Sequence, residues 1–80
     1  LLTKWMIARS YQEMDDLDVA YELYQELAGG LKDNPEFLEH YIYLLRELGY
    51  FEEAKVNAQA YLKLVPDDVQ MQELYERLQE

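Results

Sequence analysis

The chain has 80 residues, half of them apolar, with three glycines and two prolines. That is enough apolar material for one small core and too few turn residues for an all-β sandwich. Seventeen acids against seven bases give a net charge of −10, which repels phosphate backbones and anionic lipid heads and argues against nucleic acid or a membrane surface as partner. The absence of cysteine removes disulfides, thiolate zinc sites and cysteine nucleophiles.

No stretch approaches the roughly 18–20 apolar residues of a membrane span, and no basic leader precedes Leu1. Together with the lack of cysteine, this points to a cytoplasmic setting. The chain opens on Leu rather than Met, as a piece of a longer protein would. The acidity itself reads as a solvated outer face.

In chain order the breakers are Asp15-Asp16, Gly29-Gly30 with Lys32-Asp33-Asn34-Pro35, Gly49, and Pro66-Asp67-Asp68. Between them lie segments of about a dozen residues, the ordinary helix length. They predict five helices near 2–14, 17–29, 35–48, 51–64 and 67–79. In the first, Ile7, Tyr11 and Met14 step by four and three; in the second, Asp16 is a candidate cap, Leu17, Ala20, Tyr24 and Leu27 form the stripe, and Gly29 or Gly30 closes it. The third opens on Asn34 as N-cap with Pro35 at the first helical position, and ends at Gly49. The fourth follows Tyr50, a poor cap, with Phe51, Ala54, Ala58, Tyr61 and Leu62 inward. The fifth opens on a capping box of Asp67 and Gln70, with Met71, Leu74, Tyr75 and Leu78 as its apolar face.

Shifting the sequence by 34 residues aligns the breaks: Ile7 with Tyr41, Tyr11 with Leu45, Asp15 with Gly49, Leu17 with Phe51, and Ala20 with Ala54. A fixed period in this range marks a solenoid. Small residues at Ala20 and Ala54 allow two helix axes to approach closely. Short links make successive helices antiparallel neighbours.

Leu38, Tyr41, Leu45, Gly49, Phe51, Ala54 and Pro66 stand where a tetratricopeptide repeat has its signature, and residues 35–68 resemble that family. Ile42, Ala58 and Tyr61 depart from it, the last two as a size swap that moves one ring by about a turn. The first repeat keeps Ala8, Tyr11, Leu17, Ala20 and Tyr24 but has Lys32 in place of proline. The resemblance implies an all-α, right-handed solenoid: repeat one over 1–34, repeat two over 35–68, and a C-terminal capping helix over 69–80.

It also implies a non-catalytic module, without cofactor or metal, that holds a peptide or protein in the concave groove of its A helices. The register puts Trp5, Met6, Arg9, Gln12 and Glu13 on the first groove helix, and Glu39, His40, Tyr43, Arg46 and Glu47 on the second. Gln70, Leu74 and Arg77 fall on the third. Trp, Tyr and Arg are frequent carriers of binding energy, and Arg9 and Arg77 occupy equivalent positions. Glu13 and Glu73 lie four residues from Arg9 and Arg77, where ordinary surface pairs form. The family's clamp for acidic chaperone tails is missing, since its positions hold Trp5, Arg9, His40, Gln70 and Leu74.

Two features invite other readings. Leu1, Leu2, Trp5, Met6, Ile7 and Ala8 surround the first helix with apolar side chains, which need cover from a neighbouring repeat, a ligand, or a second copy in a homodimer. His40 with Glu36 one turn before it has the spacing of a weak metal or acid–base pair, but no further ligand converges on it in the sequence. Ser10 and Thr3 have no histidine on their segment to activate them, and Gly29-Gly30 lacks a phosphate-loop lysine. A structural segment of a longer solenoid, or a self-associating unit, is the alternative to a peptide binder.

Overall fold

The computed structural model describes residues 2–79, with side chains from Thr3 onward. The described residues form α1 (Leu2–Glu13), α2 (Leu17–Leu31), α3 (Pro35–Leu48), α4 (Phe51–Leu64) and α5 (Val69–Leu78), with no strand among them. Each helix packs on the next, and α1 also meets α3. Lys4 at the start of α1 pairs with Glu26 near the end of α2 at 2.9 Å, so this hairpin is antiparallel. Trp5 near the start of α1 meets Phe37 near the start of α3, which makes those two helices parallel. The fold is an all-α helical repeat.

The ends of α3 form as the sequence predicts. Asn34 accepts from the Glu36 and Phe37 amides at 3.0 and 3.3 Å, and Pro35 occupies the first turn. Gly49 closes the helix in the left-handed region at φ 84°, its amide reaching back to Arg46, a conformation that costs a side-chain-bearing residue about 1 kcal/mol or more. Tyr50 and Asp16 precede α4 and α2 without a side-chain capping bond. For Asp16 this corrects the sequence reading.

Two further boundaries differ. Helix α2 passes through Gly29-Gly30 and ends at Leu31, with Lys32 following in right-handed conformation. Leu31 continues the stripe of Ala20, Tyr24 and Leu27 and is buried; burying it contributes about 1.5–3 kcal/mol, which offsets about 1–2 kcal/mol for the two helical glycines. Helix α5 starts at Val69, and its cap is Asp68, which accepts from the Met71 amide at 3.1 Å. Asp67 lies in the preceding turn, so the Asp67–Gln70 capping box does not form.

The core between the hairpins is a run of aromatic rings. Tyr24 of α2 stacks on Tyr41 of α3 with centroids 5.5 Å apart and planes 6° from parallel, and Phe37 contacts both. Trp5 stands edge-on to Phe37 at 6.0 Å. Such pairs contribute beyond their buried area. Ala8, Ala20, Ala54 and Ala58 are fully buried, and small side chains at such points let helix axes approach closely. The departures in the second repeat, Ile42, Ala58 and Tyr61, are all buried, whereas Lys32 of the first is exposed.

Candidate functional site

The A-helix face is built by α1 and α3, seamed by one glutamine. Gln12 accepts from the Tyr24 hydroxyl at 2.8 Å and donates to the His40 carbonyl at 3.5 Å. One side chain thus ties α1, α2 and α3 at the junction of the repeats. Beside it, Arg9, Gln12, Glu13 and His40 line a cleft of about 260 Å³. The Arg9 guanidinium lies 5.6 Å from the Trp5 ring centroid, and His40 meets the same indole edge-on at 5.9 Å.

Trp5 is the main correction to the sequence reading. At 6% exposure it belongs to the core, under the cleft rather than in it. Its indole N–H is buried without a hydrogen-bond partner. Leu74 is likewise buried, at 7%. Of the positions the sequence places on the groove, Met6, Arg9, Gln12, Glu13, Glu39, His40, Tyr43, Arg46, Glu47, Gln70 and Arg77 are exposed or half-buried.

Electrostatics on this face follow from partial burial. Burial and then the Arg9 charge push the His40 pKa below its ordinary 6.5, against Glu39, Glu36 and Glu13, which pull it up. Burial raises the Tyr24 phenol, while the Arg9 charge opposes that. Among the described residues neither Arg9 nor Arg77 forms the ion pair predicted with Glu13 or Glu73. Arg46 lies 5.2 Å from the Tyr43 ring centroid, a favourable cation–π geometry. Also among the described residues, no three His, Asp or Glu side chains converge to hold a metal, and no helix is long and apolar enough to cross a membrane.

The α5 end of the face opens into a second cleft of about 450 Å³, lined by Arg46, Phe51, Glu52, Leu74, Arg77 and Leu78. Sequence reasoning placed Phe51 as a structural repeat position matching Leu17, yet it is 52% exposed. Leu17 packs against the core, whereas the ring of Phe51 is left at the rim of this cleft. The other structural positions split by role: Ala8, Ala20, Tyr24, Leu45 and Ala54 are buried, Tyr11 and Leu17 are half-buried, and Pro66 is exposed in the turn before α5.

A polar network joins the B helices. The Tyr21 hydroxyl donates to both oxygens of Glu53 at 2.8 and 2.9 Å and accepts from Gln25. The bond to Glu53 is the largest reason that the Tyr21 pKa is pushed up to about 12. Burial, with help from Glu53, also holds the Tyr41 phenol neutral well above its ordinary range. No sequence pattern announces this α2–α4 link, because its partners stand 32 residues apart.

A family model described as YpiA-like, C-terminal tetratricopeptide repeats matches residues 2–68, which takes in both helical hairpins. The chain belongs to the YpiA-like C-terminal tetratricopeptide repeat family. No curated protein and no solved structure matches it significantly. The tetratricopeptide assignment agrees with the 34-residue register and with Gly49, Ala54 and Pro66 at their signature places. Tetratricopeptide repeats are in general protein-interaction modules, and protein partners follow at that level.

Proposed function

We propose that this chain is a non-catalytic interaction module that takes a peptide or protein segment along its A-helix groove. It acts as two repeats, residues 1–34 and 35–68, with 69–80 as the closing helix. The observation that carries the reading is Arg9: a cation in a chain of net charge −10, held over the Trp5 ring and lining a cleft with Gln12 and His40. Lys4 and Lys55, by contrast, are paired with Glu26 and Glu52. Met6, Glu39, His40, Tyr43, Arg46 and Arg77 extend the groove around Arg9, with Trp5 and Leu74 as its floor.

The test is amide-shift mapping by NMR with a panel of peptides that vary in charge. Saturable shifts centred on Arg9, Gln12, His40 and Tyr43 support the groove. Shifts confined to α2 and α4, or none with any peptide, reject it.

A second reading rests on α1. Met6 is 66% exposed, and Ile7 and Met14 are exposed beside it, while Leu1 and the side chain of Leu2 fall outside the described residues. This outer face suits a second copy of the chain or an adjoining repeat. Light scattering of the chain and of Met6→Glu/Ile7→Lys separates the two: a dimer lost in the double variant supports self-association, and a monomer at all concentrations rejects it.

A further inference from the structure

The cleft at the α5 end differs in chemistry from the one beside Arg9. Its lining pairs three apolar side chains, Phe51, Leu74 and Leu78, with two guanidiniums, Arg46 and Arg77. Neither arginine has a carboxylate within ion-pair distance among the described residues. Arg46 is held against Tyr43, so its planar fork is partly ordered before any ligand arrives. The one acid in the lining, Glu52, has a side chain 91% exposed and is approached by Lys55 at 3.7 Å. The volume of about 450 Å³ lies inside the usual range of about 300–1,000 Å³ for pockets that enclose a ligand.

Phe51 adds an independent observation. It is the first residue of α4, where a polar residue would serve the helix as well, and its ring is half in water. Its neighbour Tyr50 packs edge-on to Tyr21 at 5.0 Å, on the opposite hairpin. Phe51 thus contributes apolar surface to the cleft, and it is absent from the buried core.

We infer that the cleft between the start of α4 and the second half of α5 is a docking site for one bulky apolar side chain of a partner peptide flanked by carboxylates. The apolar side chain seats between Phe51, Leu74 and Leu78, and the flanking carboxylates pair with Arg46 and Arg77. Charge complementarity selects this occupant. The overall field of the chain repels anions, so an acidic segment gains only where two unpaired arginines stand together, whereas basic segments are attracted to the whole surface without preference for this cleft. The inference rests on the reading of the A-helix face as a binding face and names the chemistry of its α5 end.

The probe is a fluorescein-labelled, end-blocked peptide of sequence Gly-Asp-Asp-Phe-Asp-Gly, compared with its Phe→Gly and Asp→Asn versions. Fluorescence anisotropy is read against the wild type and against Arg46→Gln, Arg77→Gln, Phe51→Ser and Arg9→Gln. All four positions are exposed or half-exposed, and far-UV circular dichroism confirms that each variant folds. Expected are about tenfold weaker binding for Arg46→Gln and for Arg77→Gln, a similar loss for Phe51→Ser, and a smaller loss for Arg9→Gln. Equal binding of the Phe→Gly peptide overturns the apolar anchor, and equal binding of the Asp→Asn peptide overturns the arginine pairing. Loss in Arg9→Gln alone moves the peptide to the α1–α3 cleft, overturning this site and leaving the groove reading standing. Absence of probe binding while other peptides shift Arg9 and His40 overturns this site alone, and absence of binding by every peptide overturns both.

Discussion

The Tyr61 hydroxyl donates to the Asp68 carboxylate at 2.6 Å, and the same Asp68 caps α5 through its other oxygen. A ring buried on α4 therefore fixes the start of the next helix. The bond to Asp68 is the main reason the Tyr61 phenol stays neutral far above its ordinary range. The same bond, with the Met71 amide, holds the Asp68 carboxyl below 3.8.

Tyr61→Phe keeps the ring and removes this link. It is expected to cost about 1 kcal/mol in urea unfolding. Carbon-detected NMR titration should show the Asp68 pKa rising toward its ordinary value. A carboxyl depressed in the fold adds stability above its unfolded pKa and loses it as pH falls through the folded one. In Tyr61→Phe the acid limb of the stability profile should therefore become shallower, the difference from wild type vanishing as pH falls through the folded Asp68 pKa. An unchanged Asp68 titration would rule out the coupling.

Trp5→Ala is expected to destabilise the chain by about 3–5 kcal/mol, as for other buried large-to-small changes. Circular dichroism, which does not depend on the indole, is the measure. Trp5→Phe should cost less, because it keeps an aromatic ring against Phe37 and removes a buried N–H that has no partner. A Trp5→Ala chain as stable as wild type would return Trp5 to the surface.

His40 gives a pH dependence at mild acidity. Its pKa is lowered in the fold, so the unfolded chain binds more protons once pH falls below 6.5. Stability is then full above 6.5 and declines below it, until the folded histidine also protonates. The groups that set this value are Arg9, which lowers it, and Glu39, Glu36 and Glu13, which raise it. His40→Gln should flatten the difference in urea unfolding between about pH 7.5 and about pH 5.5. The Asp68 contribution falls in a separate, more acidic window.

The elements were readable because breakers and stripes agreed: α3 and α4 begin and end where Asn34-Pro35, Gly49 and the spacing from Phe51 to Leu64 place them. The errors come from competition between local and distant effects. The glycine pair at 29–30 is a helix stop only while Leu31 has nothing to bury against. Asp67 and Asp68 are equal candidates as caps until Tyr61, seven residues before Asp68, selects one. Of the site, the register found Arg9, Gln12, His40, Arg46 and Arg77 on related faces. It could not show that Trp5 turns inward, because an apolar side chain on a groove helix and one on its buried edge differ by less than a turn, and the arrival of Phe37 decides between them. Phe51 was missed as a site residue for the opposite reason: its repeat position implied packing.

Gly29 and Gly49 separate backbone conformation from packing. A Cβ on Gly29 would meet nothing within 4 Å, and the residue is inside α2, so Gly29→Ala should stabilise by about 0.5–1 kcal/mol. A Cβ on Gly49 would also meet nothing, but its φ is +84°, so Gly49→Ala should destabilise by about 1–2 kcal/mol. Thermal unfolding of both variants checks this; the same sign of change in both would contradict the helix end at Gly49.

Backbone contacts run along the chain from each helix to the next, with α1 and α3 as the additional pair. Most contacts are thus short in sequence, a topology that folds fast and whose stability adds from one neighbour to the next. Among the described residues α5 packs on α4 alone. Opening of that contact leaves the aromatic stack of Tyr24, Phe37 and Tyr41 undisturbed, so amide exchange should be quickest in α5 and slowest in α3. A partner seated between α4 and α5 would then act as a clasp, slowing exchange at the end of the array farthest from Trp5.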